Sequence, residues 1–450
     1  MTRWNRKRAR YVWDIARRGP TEVGYAYFRA RRRRRNLADD APELSESDRL
    51  VLGGDYDLEA SELAASAEVV AAWERAGRAR IESIQWFLPW FHLVYGGGIY
   101  TVLRFADRFA AEHGAVNRFH VYDRADERAA RDIAAKIADA FPRLAQAPVT
   151  AAGAELPPAD AAIATAWTSA FPLVRHRGTR AKFFFVQDLE PDFYPAGAAS
   201  AVLEQAARFG LPGIVNTPGL ADVYRSYGNR AVAFAPAVDT RRYRPADSRR
   251  TAGATRIFFY GRPSQPRNAF GLGLAALRLV KRRFGDRVEI VCAGEDWSPG
   301  QYGAADVLDN LGQLEELDAV ADLYRSCDIG LAFMLTPHPS YQPLEFMASG
   351  VATVSNHNPH TGWLLRHEAN ALLAPALPAL VAEQVSRLVE DPGLRNRIAR
   401  TGREEVARVR WEDEIDRVWE AMTSRTERFE PASEPRARAP APEGTLLLGG

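Results

Sequence analysis

The stretch Ser340 to Ser355, SYQPLEFMASGVATVS, decides how the chain is read. It predicts a loop, a short helix and a buried strand. Pro343 suits a first helical position, where its missing N–H costs nothing. Gly350 suits the place just past the helix end, and VATVS is a β-branched run fit for a parallel sheet. One carboxylate, Glu345, falls in the first turns of this helix. Ahead of it, Ser340, Tyr341 and Gln342 offer backbone N–H groups at the positive end of the helix dipole. Such a terminus favours phosphate by about 0.3–1 kcal/mol when exposed. A carboxylate beside a phosphate would repel it unless it turns aside to accept hydrogen bonds from neutral hydroxyls, and a ribose diol meets that need. The plainer alternative is an ordinary helix–strand unit with a solvated Glu.

Working outward, the same half of the chain alternates strands and helices. Arg256 to Tyr260 is a strand that runs into Gly261-Arg262-Pro263-Ser264-Gln265-Pro266-Arg267. Arg262 and Arg267 are two permanently charged, forked donors of the kind that suits a diphosphate, or else surface arginines in a turn. Leu311-Gly312-Gln313-Leu314 precedes a helix over Leu317 to Ser326, and Asp328 to Met334 and Asn370 to Ala374 read as strands. In the other half, Ser83 to Phe91 is a strand followed by Gly96, Gly97 and Gly98 and an amphipathic helix, Ile99 to His113. Glycines between a strand and a helix let backbone N–H groups approach a phosphate. Their spacing is not the G-x-G-x-x-G of dinucleotide binders, and adjacent glycines also occur in plain loops. Lys182 to Gln187, KFFFVQ, ends in Asp188-Leu189-Glu190-Pro191-Asp192. Acids at the carboxyl end of a buried strand sit where open α/β sheets place ligands, although a solvated capping loop reads the same way.

These motifs together resemble family 4 glycosyltransferases of the GT-B fold. PLEFMASGVATVS is similar to the element that carries the second of that family's two paired Glu, with Glu345 in its place. The first Glu would fall eight residues earlier, at Pro337, so the role tied to it does not carry over. Gly261-Arg262 with Arg267 resembles the family's Gly-Arg and a second basic residue, usually Lys. Phe234 to Pro245, FAPAVDTRRYRP, is similar to its interdomain segment, and NALLA to its Asn-Gly-Leu-Leu strand. The resemblance implies an α/β chain of two Rossmann-like domains facing across a cleft. Residues 80–247 would form the acceptor domain, with a returning helix at 411–422, and 248–410 the nucleotide-sugar domain. It implies donor binding by Gly96, Gly97, Gly98, Gly261, Gly312, Gln313, Leu314, Ser340, Tyr341, Gln342 and Glu345. Arg262, Arg267, Asp188 and Glu190 are the candidate catalytic residues. FFFVQDLEPDFYP with HPSYQPLEFMASG looks most like bacterial rhamnosyltransferases of surface-glycan assembly. That implies a retaining enzyme using dTDP-L-rhamnose and a glycan or lipid-linked acceptor.

At 450 residues and 46% apolar content, two domains plus tails are expected. Residues 1–79 read as a basic and helical N-terminal extension, with thirteen Lys/Arg between Arg3 and Arg35. Interleaved aromatics suit an anionic membrane surface, and nucleic acid, which is not expected as a partner, has the same electrostatic footprint. Asp39 to Asp55 reads as a linker and 424–450 as a disordered tail. No run of about 18 apolar residues spans a membrane, and no apolar region follows the basic start to make a signal peptide. Cys292 and Cys327 form no disulfide framework, which suits a cytoplasmic protein, peripheral at most on the inner membrane face. There is no G-x-S-x-G elbow and no H-E-x-x-H. His338, His357, His360 and His367 match no ligand spacing, and two arginines would neutralise a diphosphate without metal, so neither metal nor cofactor is expected. The rival reading is a non-catalytic GT-B scaffold that binds a nucleotide or glycan, favoured by Pro337.

Overall fold

In the computed structural model the described residues are 45–77, 80–246, 253–338, 340–423 and 429–430. The chain falls into two compact units, 1–49 and 50–450. The expected membrane-facing arm, Met1 to Leu37, lies outside the described residues. A helix, α1 (Glu46–Gly53), occupies part of the stretch read as a linker. It is short and weakly apolar, which is why the pattern did not announce it.

The second unit holds two parallel sheets. Ordinary strand and helix signals build the first: β1 (Ser83–Leu88), β2 (Val116–Val121), β3 (Val149–Ala151), β4 (Ala159–Ala164), β5 (Thr179–Val186), β6 (Gly213–Asn216) and β7 (Ala231–Phe234). Their order is β3-β2-β1-β4-β5-β6-β7, all parallel. The second contains β8 (Thr255–Tyr260), β9 (Val288–Ala293), β10 (Asp309–Asn310), β11 (Ile329–Leu331), β12 (Ala352–Asn356) and β13 (Ala371–Ala374), in the order β10-β9-β8-β11-β12-β13. Each sheet therefore reverses direction of build at one place, between β1 and β4 and between β8 and β11. A crevice opens there at the carboxyl ends of the strands, because successive connections run to opposite faces. Everything the site needs is placed by these two switch points.

Both faces of each sheet are covered, so most strand residues are buried and the strand centres are mainly apolar. On one face of the first sheet Trp86, Phe105, Phe185 and Phe234 pack together, with Phe105 and Phe185 edge to face at 4.9 Å. On the other face lie Phe87, Trp167, Phe184 and Tyr224. Helix α2 (Ala60–Ala76) packs onto that face through Val70. Beneath it the buried Lys182 donates to the Val174 carbonyl at 2.8 Å and to Ser66 Oγ at 3.2 Å. Phe258, Tyr324, Phe346 and Met347 form one core of the second sheet, and Ile257, Phe259, Leu277 and Val280 the other.

A helix at Trp411–Thr423 crosses back to the first sheet, burying Trp411, Ile415, Val418 and Met422 in its core. Arg108 clasps Asp416 through two bonds of 3.0 and 2.6 Å, and His113 stacks on Trp419 at 4.3 Å. Two residues of the stretch read as a disordered tail depart from that expectation. Phe429 is buried against Trp73 and Phe183, and Glu430 pairs antiparallel with Ala231. A lone aromatic in a polar segment carries no periodic signal. The strand expected over Asp328 to Met334 stops at Leu331, because Asn356 takes over the backbone of Met334, accepting from its N–H and donating to its carbonyl at 2.9 Å each. The chain is thus released toward the cleft.

Candidate functional site

The two switch points face a common cavity of about 510 Å³. From the second sheet, Arg262 lines it just past β8, and Arg267 follows after a tight turn. Arg262 has no ion pair among the described residues; its guanidinium lies over the Tyr260 ring at 5.8 Å and donates to the Tyr260 hydroxyl at 3.3 Å. The Arg267 guanidinium sits 4.0 Å from the Phe193 ring centroid and donates to Gln265 Oε1 at 2.6 Å. Burial draws the Arg267 pKa down, with the neighbouring Arg262 cation adding and Asp188 opposing. Neither arginine has an ion pair among the described residues, an arrangement suited to meeting an anion.

The helix Gln342–Ala348 carries Glu345 into the same cavity. Burial pushes its carboxyl up to about 7, against hydrogen bonding from Tyr243 and Tyr324. Burial and this carboxyl in turn hold both tyrosines protonated. Tyr341 and Gln342 line the cavity beside it. Ser340 also lines it, but its amide is not free as the sequence suggested: it donates to His338 Nδ1 at 2.9 Å. His338 is 5% exposed, and its Nε2 is buried without a partner.

From the first sheet come Gly96, Gly97 and Gly98, Asp188 and Glu190. The helix α3 (Gly97–His113) begins earlier than the sequence suggested, so Gly97 and Gly98 form its first turn. A Cβ on Gly97 would meet the Tyr341 ring at 2.9 Å, which gives this glycine a packing role in addition to any phosphate role. A chain of hydrogen bonds follows: Asn216 Nδ2 donates to the Tyr341 hydroxyl at 3.1 Å, which lies 2.6 Å from Thr101 Oγ1, which donates to the Gly97 carbonyl at 2.6 Å. Tyr341 thus joins the two sheet domains across the cleft. Asp188 and Glu190 face Arg267. Burial pushes them up to about 6 and about 7, with each raised by nearby acids and lowered by Arg267. Glu190 Oε2 accepts from the Trp167 amide at 3.0 Å, and the Asp188 carbonyl from the Trp167 indole at 2.9 Å.

Gln313 and Leu314 line the cavity, whereas Gly261 and Gly312 do not and act behind it. A Cβ on Gly261 would lie 2.3 Å from Cys292 Sγ, so glycine lets β8 pack against β9. Gly312 has φ +73°, and a Cβ there would meet Asp296 Oδ1 at 2.3 Å; Asp296 accepts from the Gln313 amide at 2.9 Å. These glycines shape the loop and make no cavity wall. Sequence reasoning missed Arg104, Tyr243, Tyr324 and His338. Arg104 lines the cavity between the rings of Tyr100 and Trp411, 5.0 Å from each, without an ion pair among the described residues. Its place at i+3 from Thr101 and i+7 from Gly97, on one helix face, was the available signal. His357, His360 and His367 do not join His338 in the cavity wall, and among the described residues no three His, Cys, Asp or Glu come together as a metal site.

Residues 255–386 match the family described as the C-terminal domain of WsaF. An O-antigen biosynthesis protein, RfbC of Myxococcus xanthus, is 43% identical over 352 residues, which are 77% of this chain and 27% of that protein. The chain therefore spans about a quarter of the length of this curated relative. Among solved structures, HepE of Anabaena with UDP and glucose superposes with a TM-score of 0.57 at 13% identity, over 76% of this chain and 99% of that one. Sucrose-phosphate synthase of Thermosynechococcus elongatus gives 0.57 at 13%, over 75% and 98%. At such identities the likeness speaks for architecture, and the two facing parallel sheets with a returning C-terminal helix are the GT-B fold.

Proposed function

We propose that this chain is a glycosyltransferase of surface-polysaccharide assembly that moves a sugar from a nucleoside diphosphate. The observation that carries the reading is the convergence of Arg262, Arg267 and Glu345 on one cavity between two switch points. The cations would hold the diphosphate, and Glu345 would accept from the ribose hydroxyls. As the glycosidic bond breaks, charge grows on the leaving phosphate oxygen. Donors already aimed at that oxygen stabilise the transition state more than the ground state. Asp188 and Glu190, on the opposite wall, would position the acceptor hydroxyl. Support for the pathway comes from the likeness to a protein named for O-antigen biosynthesis and from the WsaF match. HepE, of like fold, binds UDP and glucose.

The finer reading rests on the sequence motifs. The transferred sugar is L-rhamnose from dTDP-L-rhamnose, its anomeric configuration is retained, the acceptor is a glycan or lipid-linked glycan, and no metal or cofactor is needed. The experiment is to incubate the protein with dTDP-rhamnose and with UDP and GDP sugars and measure nucleoside diphosphate release. Release with dTDP-rhamnose alone, persisting in excess EDTA, is expected. Release with another donor overturns the sugar assignment, loss in EDTA restored by magnesium overturns metal independence, and binding without release makes the chain a non-catalytic scaffold.

A further inference from the structure

We propose that His338, through Nε2–H, donates a hydrogen bond to a phosphate oxygen of the leaving diphosphate. This inference rests on the glycosyltransferase reading above and adds a residue to it. His338 lies between β11 and the helix that carries Glu345, is 5% exposed, and lines the cavity. Its Nδ1 lone pair is taken, because the Ser340 amide donates to it at 2.9 Å. The neutral ring must then carry its proton on Nε2. That N–H is buried and finds no acceptor in the protein. A buried donor left unmet is a cost that folded proteins rarely carry without a ligand or water to meet it.

The surroundings narrow what the acceptor is. The Tyr341 ring stands 5.8 Å from the imidazole, and its hydroxyl points to Thr101 and Asn216 and does not meet Nε2. Burial, and after it the neighbouring Arg267 charge, keeps the imidazole neutral, pushing its pKa down to about 3. The ring is thus a donor that never competes with the arginines as a third cation. A phosphate oxygen is a charged acceptor that Arg267 draws in, whereas a neutral sugar hydroxyl gains little from that neighbouring cation.

The test compares the full chain with His338→Gln and His338→Phe by calorimetry with dTDP, UDP and GDP, and with dTDP-L-rhamnose, alongside melting temperatures. Gln returns an N–H donor near the position of Nε2, and Phe keeps the ring without one. Both lose the acceptor for the Ser340 amide, so that loss cancels. His338→Phe is expected to bind the preferred diphosphate about tenfold or more weakly, as for loss of a charge-assisted bond. His338→Gln should stay within about threefold of the parent. Parental affinity in the Phe variant, or equal losses in both, overturns the proposal. A loss seen only with the sugar nucleotide and not with the diphosphate also overturns it, giving the bond to the sugar. Failure of the parent itself to bind any of the three overturns the underlying reading, and is recognised from the parent alone.

Discussion

Glu345 is a single carboxyl whose burial costs stability once it is charged. Its pKa is raised in the folded chain, so its contribution is full below the unfolded value near 4.5 and is lost as pH rises through about 7. Glu345→Gln should therefore melt higher than the parent at pH 8, by on the order of 1–3 kcal/mol, with the gain vanishing near pH 4. The same variant should bind nucleoside diphosphate about tenfold more weakly, because the charged acceptor for the ribose hydroxyls is gone. Thermal melts across pH and calorimetry check both halves; unchanged affinity would remove Glu345 from the site. The arginines differ, since under the proposed function each would meet charge that appears during reaction. Arg262→Ala and Arg267→Ala should each lower turnover by about ten- to a thousandfold, as for removal of a preorganised oxyanion donor. Melting temperature should change little. Near-parental turnover in both variants would sink their assignment.

At the scale of elements, the joint between the domains is a loop residue meeting a helix start. The Tyr341 ring approaches the first turn of α3 because Gly97 has no side chain, and its hydroxyl completes the bonds to Thr101 and Asn216. Tyr341→Phe keeps the ring and deletes those bonds, leaving the Asn216 amide short of an acceptor. We expect a loss of about 1 kcal/mol from the closed arrangement, faster hydrogen exchange over 97–101, and a larger radius of gyration by small-angle scattering. Parental exchange and scattering would mean that the cleft is held by packing instead. Much at this scale is legible from sequence. FFFV (Phe183–Val186) is a continuous apolar run and VATVS a largely β-branched one, as suits strands covered on both faces, and α3 shows its apolar stripe plainly. Helix α1 and the early end of β11 were not legible, since the first is short and the second depends on the side chain of Asn356.

For the whole molecule, the returning helix and Phe429 pack on the first sheet, while both cleft walls come from strand ends of separate sheets. Among the described residues no helix is long and apolar enough to cross a membrane. Attachment through the basic segment Met1 to Leu37 is therefore argued from sequence alone. Arg and Lys attract an anionic surface and the aromatics enter its interface, a reversible contact that salt weakens. Full-length protein should sediment with anionic vesicles, residues 38–450 should not, and the truncated form should still turn over a soluble acceptor analogue. Equal sedimentation of both forms, or of neither, would reassign the arm to nucleic acid or a protein partner.

The sequence by itself determined the alternation of strands and helices, the presence of two parallel sheets and the candidates at their carboxyl ends. These signals are local: side-chain periodicity and turn residues act over a few positions, and Arg262 and Arg267 closely follow a strand signal while Glu345 sits in the helix just before one. Only the tertiary structure decided what those residues meet. Tyr243 and Tyr324 reach Glu345 from other elements, and Tyr341 finds Thr101 at a separation of 240 residues. Gly261 and Gly312 withdraw behind the cavity because Cys292 and Asp296 press against them. The imidazole of His338 takes the Ser340 amide that the sequence had assigned to phosphate. Burial, and with it every shifted pKa in the cleft, is a sum over neighbours that the chain brings together only by folding.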